Sequence, residues 1–277
     1  AFASEARAIR ELPGYRAALD LEALVEYFTF QNIFTDRTFD KGIRVLPPGT
    51  HLVADLHGES ALTVTRYWDY QFEEPADPVE VAGYAEELDR LFVQAVERNL
   101  ISDVEVGSYL SGGIDSGSIT AVASDRISDL KTFTCGFDME SVAGNELAFD
   151  ERAVAARTAA TFGTDHSEIV LGPGDMERVM SDVVFHIDEP RVGQSYPNYF
   201  AAQLASEQVK VVLSGAGGDE MFGGYPWRYY TVSSAGSFDE YVDDYYVYWQ
   251  RLISNSRLHR LFEPVREETC HVSTRDI

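Results

Sequence analysis

Apolar and polar residues follow two different periods along the chain, and the changes between them outline its elements. Runs with a period of two predict strands at 104–110, 132–137, 167–171 and 210–213. Between them, apolar residues recur every three or four positions, which predicts helices at 79–100, 150–162, 176–185 and 195–208. A small, apolar stretch at 118–124 predicts one more helix, with a Ser or Asp cap. Strands and helices in this alternation predict an α/β fold with a doubly wound parallel sheet.

The first 70 or so residues follow a different pattern. Residues 1–9 resemble the end of a strand running into a helix, and 20–31 a helix capped by Asp20. A turn at 46–50 leads to predicted strands at 51–56 and 62–67. The polar, proline-bearing stretch 72–78 is the predicted boundary between domains at 1–75 and 76–277. After the sheet region, 225–249 predicts helical packing and 252–277 a charged, irregular end.

Composition narrows the class of protein. The chain has 277 residues, enough for a sizeable core, and 46 acidic against 22 basic residues. A surface of that sign repels nucleic-acid backbones, so we expect no nucleic-acid partner. No apolar run is long enough to cross a bilayer, which predicts no membrane association. Two cysteines without metal-ligand spacing, Cys135 and Cys270, predict a reducing, cytoplasmic setting.

The stretch SGGIDSG at 111–117 lies between a predicted strand and a predicted helix. Its two adjacent glycines, Gly112 and Gly113, let the backbone turn sharply and approach an oxyanion closely. The free N–H groups of the helix's first turn and the helix dipole then point at the negative charge. The stretch therefore predicts a phosphate cradle.

The residues absent from this loop identify the kind of cradle. No lysine follows its last glycine, as a Walker A loop requires, and the third glycine of a dinucleotide fingerprint is missing. The loop carries Asp115, and an acid beside phosphates requires a divalent cation between them. The pattern predicts a nucleotide polyphosphate held with Mg²⁺.

A second glycine loop, SGAGGDE at 214–220, follows the predicted strand at 210–213 and carries Asp219. Carboxylates from two strand ends that share a Mg²⁺ would stabilise a pyrophosphate leaving group, so Asp115 and Asp219 are the candidate catalytic and metal-binding residues.

The first loop is similar to the pyrophosphate loop of ATP pyrophosphatases, and the second to a motif of the glutamine-hydrolysing asparagine synthetases. The resemblance implies an adenine nucleotide alpha hydrolase-like fold at 76–277, truncated at its C-terminus. Residues 1–75 then resemble a small α+β remnant of an Ntn-type, class II glutamine amidotransferase domain. That domain uses an N-terminal cysteine as nucleophile, whereas this chain opens with Ala1, so we expect no working glutaminase.

The resemblance implies an ATP-dependent ligase. The aspartate side chain would attack the α-phosphate of ATP, and ammonia from glutamine would then displace AMP to give asparagine. The resemblance also implies a homodimer as the candidate oligomer of the complete protein. Residues that match the family's ATP site are Leu110, Ser111, Gly112, Gly113, Asp115, Ser116, Cys135, Ser214 and Gly215. Residues that match its acyl-substrate region are Asp188, Glu189 and Ala216.

Two departures from the family pattern bear on this implication. Asparagine synthetases carry a glutamate at the position of Ala216, and an alanine cannot accept a proton. Another acid would then have to accept the proton, and the candidates are Asp188, Glu189 and Glu220. The chain also stops before the region of the family's catalytic lysine, so we expect weak nucleotide binding and poor turnover.

Two alternatives stay open. A relative could close an amide on another acyl-adenylate, as a β-lactam synthetase or a peptide-cyclising homologue does. From a different class, the chain could be a non-catalytic ATP-binding module. Pyrophosphate exchange that depends on aspartate would separate these from the first interpretation.

Overall fold

The computed structural model describes residues 1–55, 62–73, 80–139, 150–188, 195–250 and 253–277. Most of the predicted linker, and Glu189 with Pro190, lie outside the described residues. The helices are α1 Ala6–Arg10, α2 Leu21–Phe30, α3 Val81–Asn99, α4 Ile114–Ser124, α5 Arg152–Phe162, α6 Asp175–Ile187, α7 Ser195–Ser206, α8 Gly218–Phe222, α9 Pro226–Tyr230, α10 Phe238–Trp249, α11 Asn255–Leu261 and α12 Arg266–Thr269. The strands are β1 Thr50–Ala54, β2 Leu62–Arg66, β3 Val106–Tyr109, β4 Lys131–Phe137, β5 Asp165–Leu171 and β6 Val211–Leu213.

Four parallel strands form the central sheet, in the order β5-β4-β3-β6. The chain builds outward from β3 through β4 to β5 and then places β6 on the other side of β3. The direction of strand order therefore reverses between β3 and β6. In open α/β sheets, ligands bind at the carboxyl ends of the strands beside such a reversal.

Helices cover both faces of this sheet, and β4 shows why. Every second side chain of a strand points to the same face, so Phe133, Cys135 and Phe137 lie together on the face that packs with α6 and α7. On the other face, Gly136 lies against Arg152 of α5. The predicted α/β class with a doubly wound parallel sheet is confirmed.

The N-terminal residues contain two other small structures. Asp20 caps α2, since its carboxylate accepts the N–H groups of Glu22 and Ala23 at 3.1 Å each. Strands β1 and β2 form an antiparallel pair, with Leu52 opposite Val64. The α2 and β1–β2 predictions are confirmed. The strand predicted at the start of the chain is wrong, because α1 is preceded there by extended and bent residues without strand pairing.

The last residues are ordered, contrary to the irregular end predicted from their charge. Leu258 of α11 and Phe262 are buried against Val25 of α2, and the rings of Phe28 and Phe262 meet edge to face at 5.9 Å. The prediction failed because scattered apolar residues between charges can still bury one face when a partner helix is present.

The structure contains two compact units. One consists of Ala1–Ala76, Ile187–Val192 and Trp227–Ile277, and the other of Asp77–His186 and Gly193–Pro226. The second unit holds the sheet and both glycine loops. The predicted boundary between residues 75 and 76 stays a prediction. Within the described ranges, every helix is too short or too polar to span a bilayer.

Candidate active site

The first glycine loop is closed by its own hydroxyl groups. Ser116 Oγ accepts the Ser111 N–H at 3.0 Å and lies 2.8 Å from Ser111 Oγ. The Gly113 N–H donates to Ser111 Oγ at 3.0 Å. Helix α4 begins inside the motif, with Gly113 at its N-cap and no capping side chain. The predicted Ser or Asp cap is therefore wrong, and the helix begins four residues earlier than the composition suggested.

This geometry leaves the start of α4 without a side-chain acceptor. The first N–H groups of a helix have no intrahelical partner, and the dipole adds partial positive charge there. The loop can therefore offer an anion several backbone donors and one hydroxyl pair. The glycines, the hydroxyl pair and the start of a helix thus lie together in one loop. Phosphate binding by this loop stays a prediction.

The second glycine loop lies against the first. Because Ser108 of β3 is paired with Leu213 of β6, the two loops leave neighbouring strand ends. A Cβ built on Gly215 would lie 2.8 Å from the Ser116 backbone nitrogen and 2.9 Å from Asp115 Cβ. Only a residue without a side chain permits this approach. Gly217, with φ +100°, then turns the chain into α8.

The two aspartates face the second loop at different points. The carboxylate of Asp115 lies against Gly218, at the start of α8. The side chain of Asp219 lies against Gly224, at the other end of that helix.

Tyr225 lies beside the acids of this second loop. Burial, a hydrogen bond to Glu220 (3.2 Å) and the charges of Glu220 and Asp219 raise the pKa of Tyr225 to about 12.

The carboxylates of Asp115 and Asp219 are the candidate ligands for a magnesium ion that is bound together with phosphate. Within the described part of the chain, no three His, Cys, Asp or Glu side chains gather closely enough to hold a metal by themselves. Mg²⁺ is commonly bound by one or two carboxylates plus substrate phosphates, not by a cage of protein ligands. Asp115 lies within the first glycine loop, with its carboxylate against Gly218. Metal binding by either aspartate stays a prediction.

The two predicted adenosine contacts on the sheet differ in character. The Leu110 side chain is 2 % exposed and packs against Ala155 and Ala159 of α5. Cys135 is half-buried in the cluster around Leu171, and burial, with the charge of Asp175, raises the pKa of its thiol to about 11. The thiol is thus uncharged at neutral pH. Contact of either residue with adenosine stays a prediction.

Two of the predicted acyl-substrate residues, Asp188 and Ala216, belong to different compact units, and each is described within its own unit. Asp188, with φ +57°, accepts the Arg7 N–H at 3.3 Å and contacts the Arg10 guanidinium at 3.4 Å, all within the first compact unit. Ala216 is exposed in the second glycine loop, where its N–H donates to Ser214 Oγ at 3.2 Å. Glu189 lies outside the described residues. The acyl site itself stays a prediction.

His166 follows a turn-like stretch at 163–165. It lies in β5, where its Nδ1 is 2.9 Å from Thr132 Oγ1, and its buried Nε2 has no hydrogen-bond partner among the described residues. Burial lowers its pKa, against the opposing charge of Glu168. Strand pairing with β4 sets this environment, which the turn-like sequence before it does not indicate.

Sequence reasoning missed one residue at the site. The Gly112 N–H donates to Glu151 Oε2 at 3.1 Å. Glu151 is 39 positions away and was interpreted only as the start of a helix. Its arrival at the loop depends on the packing of α5, so no local sequence signal could have found it.

The sequence is similar to known proteins along most of the chain. The sequence model of the family described as asparagine synthase matches residues 87–275, and that of a glutamine amidotransferase domain matches residues 1–68. Asparagine synthetase [glutamine-hydrolyzing] 1 of Bacillus subtilis (strain 168) is 35 % identical over 208 residues, which are 75 % of this chain and 31 % of that protein. A putative asparagine synthetase of Mycobacterium tuberculosis (strain ATCC 25618 / H37Rv) is 35 % identical over 222 residues, 78 % of this chain and 32 % of that protein.

A more distant relative has a name that describes a different activity. Amidase chyE of Penicillium rubens (strain ATCC 28089 / DSM 1075 / NRRL 1951 / Wisconsin 54-1255) is 30 % identical over 207 residues, 68 % of this chain and 30 % of that protein. The matched stretch thus spans about a third of the length of these curated relatives. With both glycine loops at one sheet edge and a family match over most of its length, the chain belongs to the asparagine synthase family.

Proposed function

We propose that this chain carries the ATP site of an amide ligase that adenylates the side-chain carboxylate of aspartate and transfers ammonia to it. One observation carries the proposal. The two glycine loops of the family contact each other at the switch point of a parallel sheet, with Asp115 packed between them. Ammonia would come from glutamine, and the products would be asparagine, AMP and pyrophosphate.

In this proposal the chain's residues mainly bind and orient phosphate. Ser111, Gly112, Gly113 and Ser116 would hold the β- and γ-phosphates, and Ser214 and Gly215 would lie beside the adenosine. Leu110 and Cys135 complete the proposed nucleotide site. Asp115 and Asp219 would hold Mg²⁺, which would neutralise charge on the departing pyrophosphate.

Attack by ammonia on the acyl group releases a proton, which requires an acceptor. Ala216 cannot supply it, and the Arg10 contact engages Asp188. Glu220, which accepts the Tyr225 hydroxyl at 3.2 Å, lies on the helix that follows the second loop. We propose Glu220 as the first residue to test for this role.

We propose that the enzyme acts on small molecules and binds no nucleic acid. The net charge of −24 supports small-molecule substrates over nucleic acid as partners. We also propose a cytoplasmic location and a homodimer.

ATP–pyrophosphate exchange on the intact protein tests the proposal, with Asp115→Ala as control. Exchange that requires both aspartate and Asp115 is the expected result. Exchange with another acid only would assign the protein to amide formation on a different acyl-adenylate. ATP binding without exchange for any acid would leave a binding module and refute the proposal.

A further inference from the structure

The backbone N–H of Gly112 lies in the predicted phosphate cradle, where it already donates a hydrogen bond to a protein carboxylate. Glu151 Oε2 accepts this N–H at 3.1 Å. A Cβ built on Gly112 would lie 3.3 Å from Glu151 Cβ and 3.3 Å from Val154 Cβ, so the start of α5 packs directly on the loop. A carboxylate oxygen and a phosphate oxygen are alternative acceptors for the same donor.

Neighbouring residues hold Glu151 in this position. Arg152 forms an ion pair with Asp150 at 2.8 Å and donates to the carbonyl oxygen of Phe137 at 2.9 Å, at the end of β4. The Arg152 side chain crosses Gly136, where a Cβ would lie 2.6 Å from Arg152 Cδ. The backbone at Glu151 is therefore fixed to a strand end, and the exposed carboxylate reaches the loop from a defined side.

From these contacts we propose that Glu151 sets the affinity of the loop for pyrophosphate by competing with it for the Gly112 N–H. The proposal rests on the proposed function, since it takes the loop at 111–117 as the phosphate site. When a phosphate group binds at Gly112, the Glu151 carboxylate withdraws into solvent. Two anions near one donor also repel each other, which weakens binding further.

This competition would matter most for the product. Inorganic pyrophosphate is held by the loop alone, whereas ATP has additional contacts through its adenosine. An internal carboxylate at Gly112 costs both ligands the same free energy. Because pyrophosphate has fewer other contacts, this cost leaves pyrophosphate weakly held and favours its release.

Titration calorimetry with inorganic pyrophosphate tests the proposal on the full chain. The variants are Glu151→Gln, which keeps the shape and removes the charge, and Glu86→Gln, the same change at an exposed position of α3. We expect Glu151→Gln to bind pyrophosphate about three- to tenfold more tightly, with and without Mg²⁺. We expect Glu86→Gln to match the wild type within about twofold.

The Gly112 amide resonance gives a readout independent of affinity. It should shift in Glu151→Gln, and in the wild type it should shift on addition of pyrophosphate. Unchanged or weaker pyrophosphate binding by Glu151→Gln would overturn the inference while leaving the proposed function in place. If neither pyrophosphate nor ATP bound to any variant, the proposed function would fail together with the inference.

Discussion

The carboxylate of Asp115 lies against Gly218, where any other residue would carry its Cβ. Asp115 belongs to the loop after β3, and Gly218 begins the helix after β6. This contact, with that of Gly215 on Ser116, joins the two glycine loops into one surface. The glycines of the second loop are therefore needed for the position of a carboxylate in the first.

Gly218→Ala should displace the Asp115 carboxylate, because the added methyl group and the carboxylate cannot share the same space. Overpacking of this kind costs about 1–3 kcal/mol, so we expect binding of ATP with Mg²⁺ to weaken about tenfold. Titration calorimetry measures it. Gly172→Ala is the matched control, since its Cβ would lie 4.0 Å from Asp175 Oδ2. Equal binding by both variants would contradict the argument.

If Asp115 and Asp219 share one Mg²⁺, their effects on catalysis should not add. We expect Asp115→Asn and Asp219→Asn each to slow pyrophosphate exchange by about 10² or more. The double variant should then lose little beyond either single one, because the ion is already lost. Exchange rates over a range of Mg²⁺ concentrations measure this. Fully additive losses would show that the two carboxylates act separately.

Ala216→Glu tests the missing acid directly. Ala216 is exposed, so the larger side chain has room beside the second loop. We expect the rate of adenylation, measured by pyrophosphate exchange, to stay unchanged. Amide formation from ammonia should become faster by about tenfold or more. Combining Ala216→Glu with Glu220→Gln tests whether Glu220 accepts the ammonia proton in the wild type. An unchanged rate of amide formation would mean that another side chain already accepts the proton beside the second glycine loop.

The last helices should contribute to stability through α2. Leu258→Ala removes a side chain that is 6 % exposed and packs with Val25 and Phe262, so unfolding should be easier by about 2–4 kcal/mol. Leu261→Ala, on the same helix but 47 % exposed, should cost less than about 1 kcal/mol. Urea unfolding followed by circular dichroism compares them. Similar losses would argue against the packing described.

His166 should make stability fall in mild acid. Burial lowers its pKa, so between about pH 6.5 and the lower folded-state pKa the unfolded chain binds more protons than the folded one. Stability from this group is thus fully present above its unfolded pKa and is lost as pH falls through this window. Unfolding free energies between pH 8 and 5 should decrease less in His166→Gln. An NMR titration of His166 at or above its ordinary pKa would refute the prediction.

Much of the fold followed from local sequence. The periods of two and of three to four located β3 to β6, α3 and α5 to α7 within a few residues, because each of these elements buries a defined face. The glycine loops were also recognisable locally. Sharp turns next to anions require glycine, and an acid within such a loop indicates a cation.

The sequence by itself therefore determined most elements of the sheet region, the α/β class and the two loops with their aspartates. Only the tertiary structure decided which residues meet across long separations. It placed Glu151 on Gly112, Asp188 on Arg10 and Leu258 on Val25. Strand order and helix packing determine these contacts, and neither is encoded in a window of a few residues. For the same reason the irregular end predicted from charge proved to be packed helix, and the predicted cap of α4 proved to be a bare glycine turn.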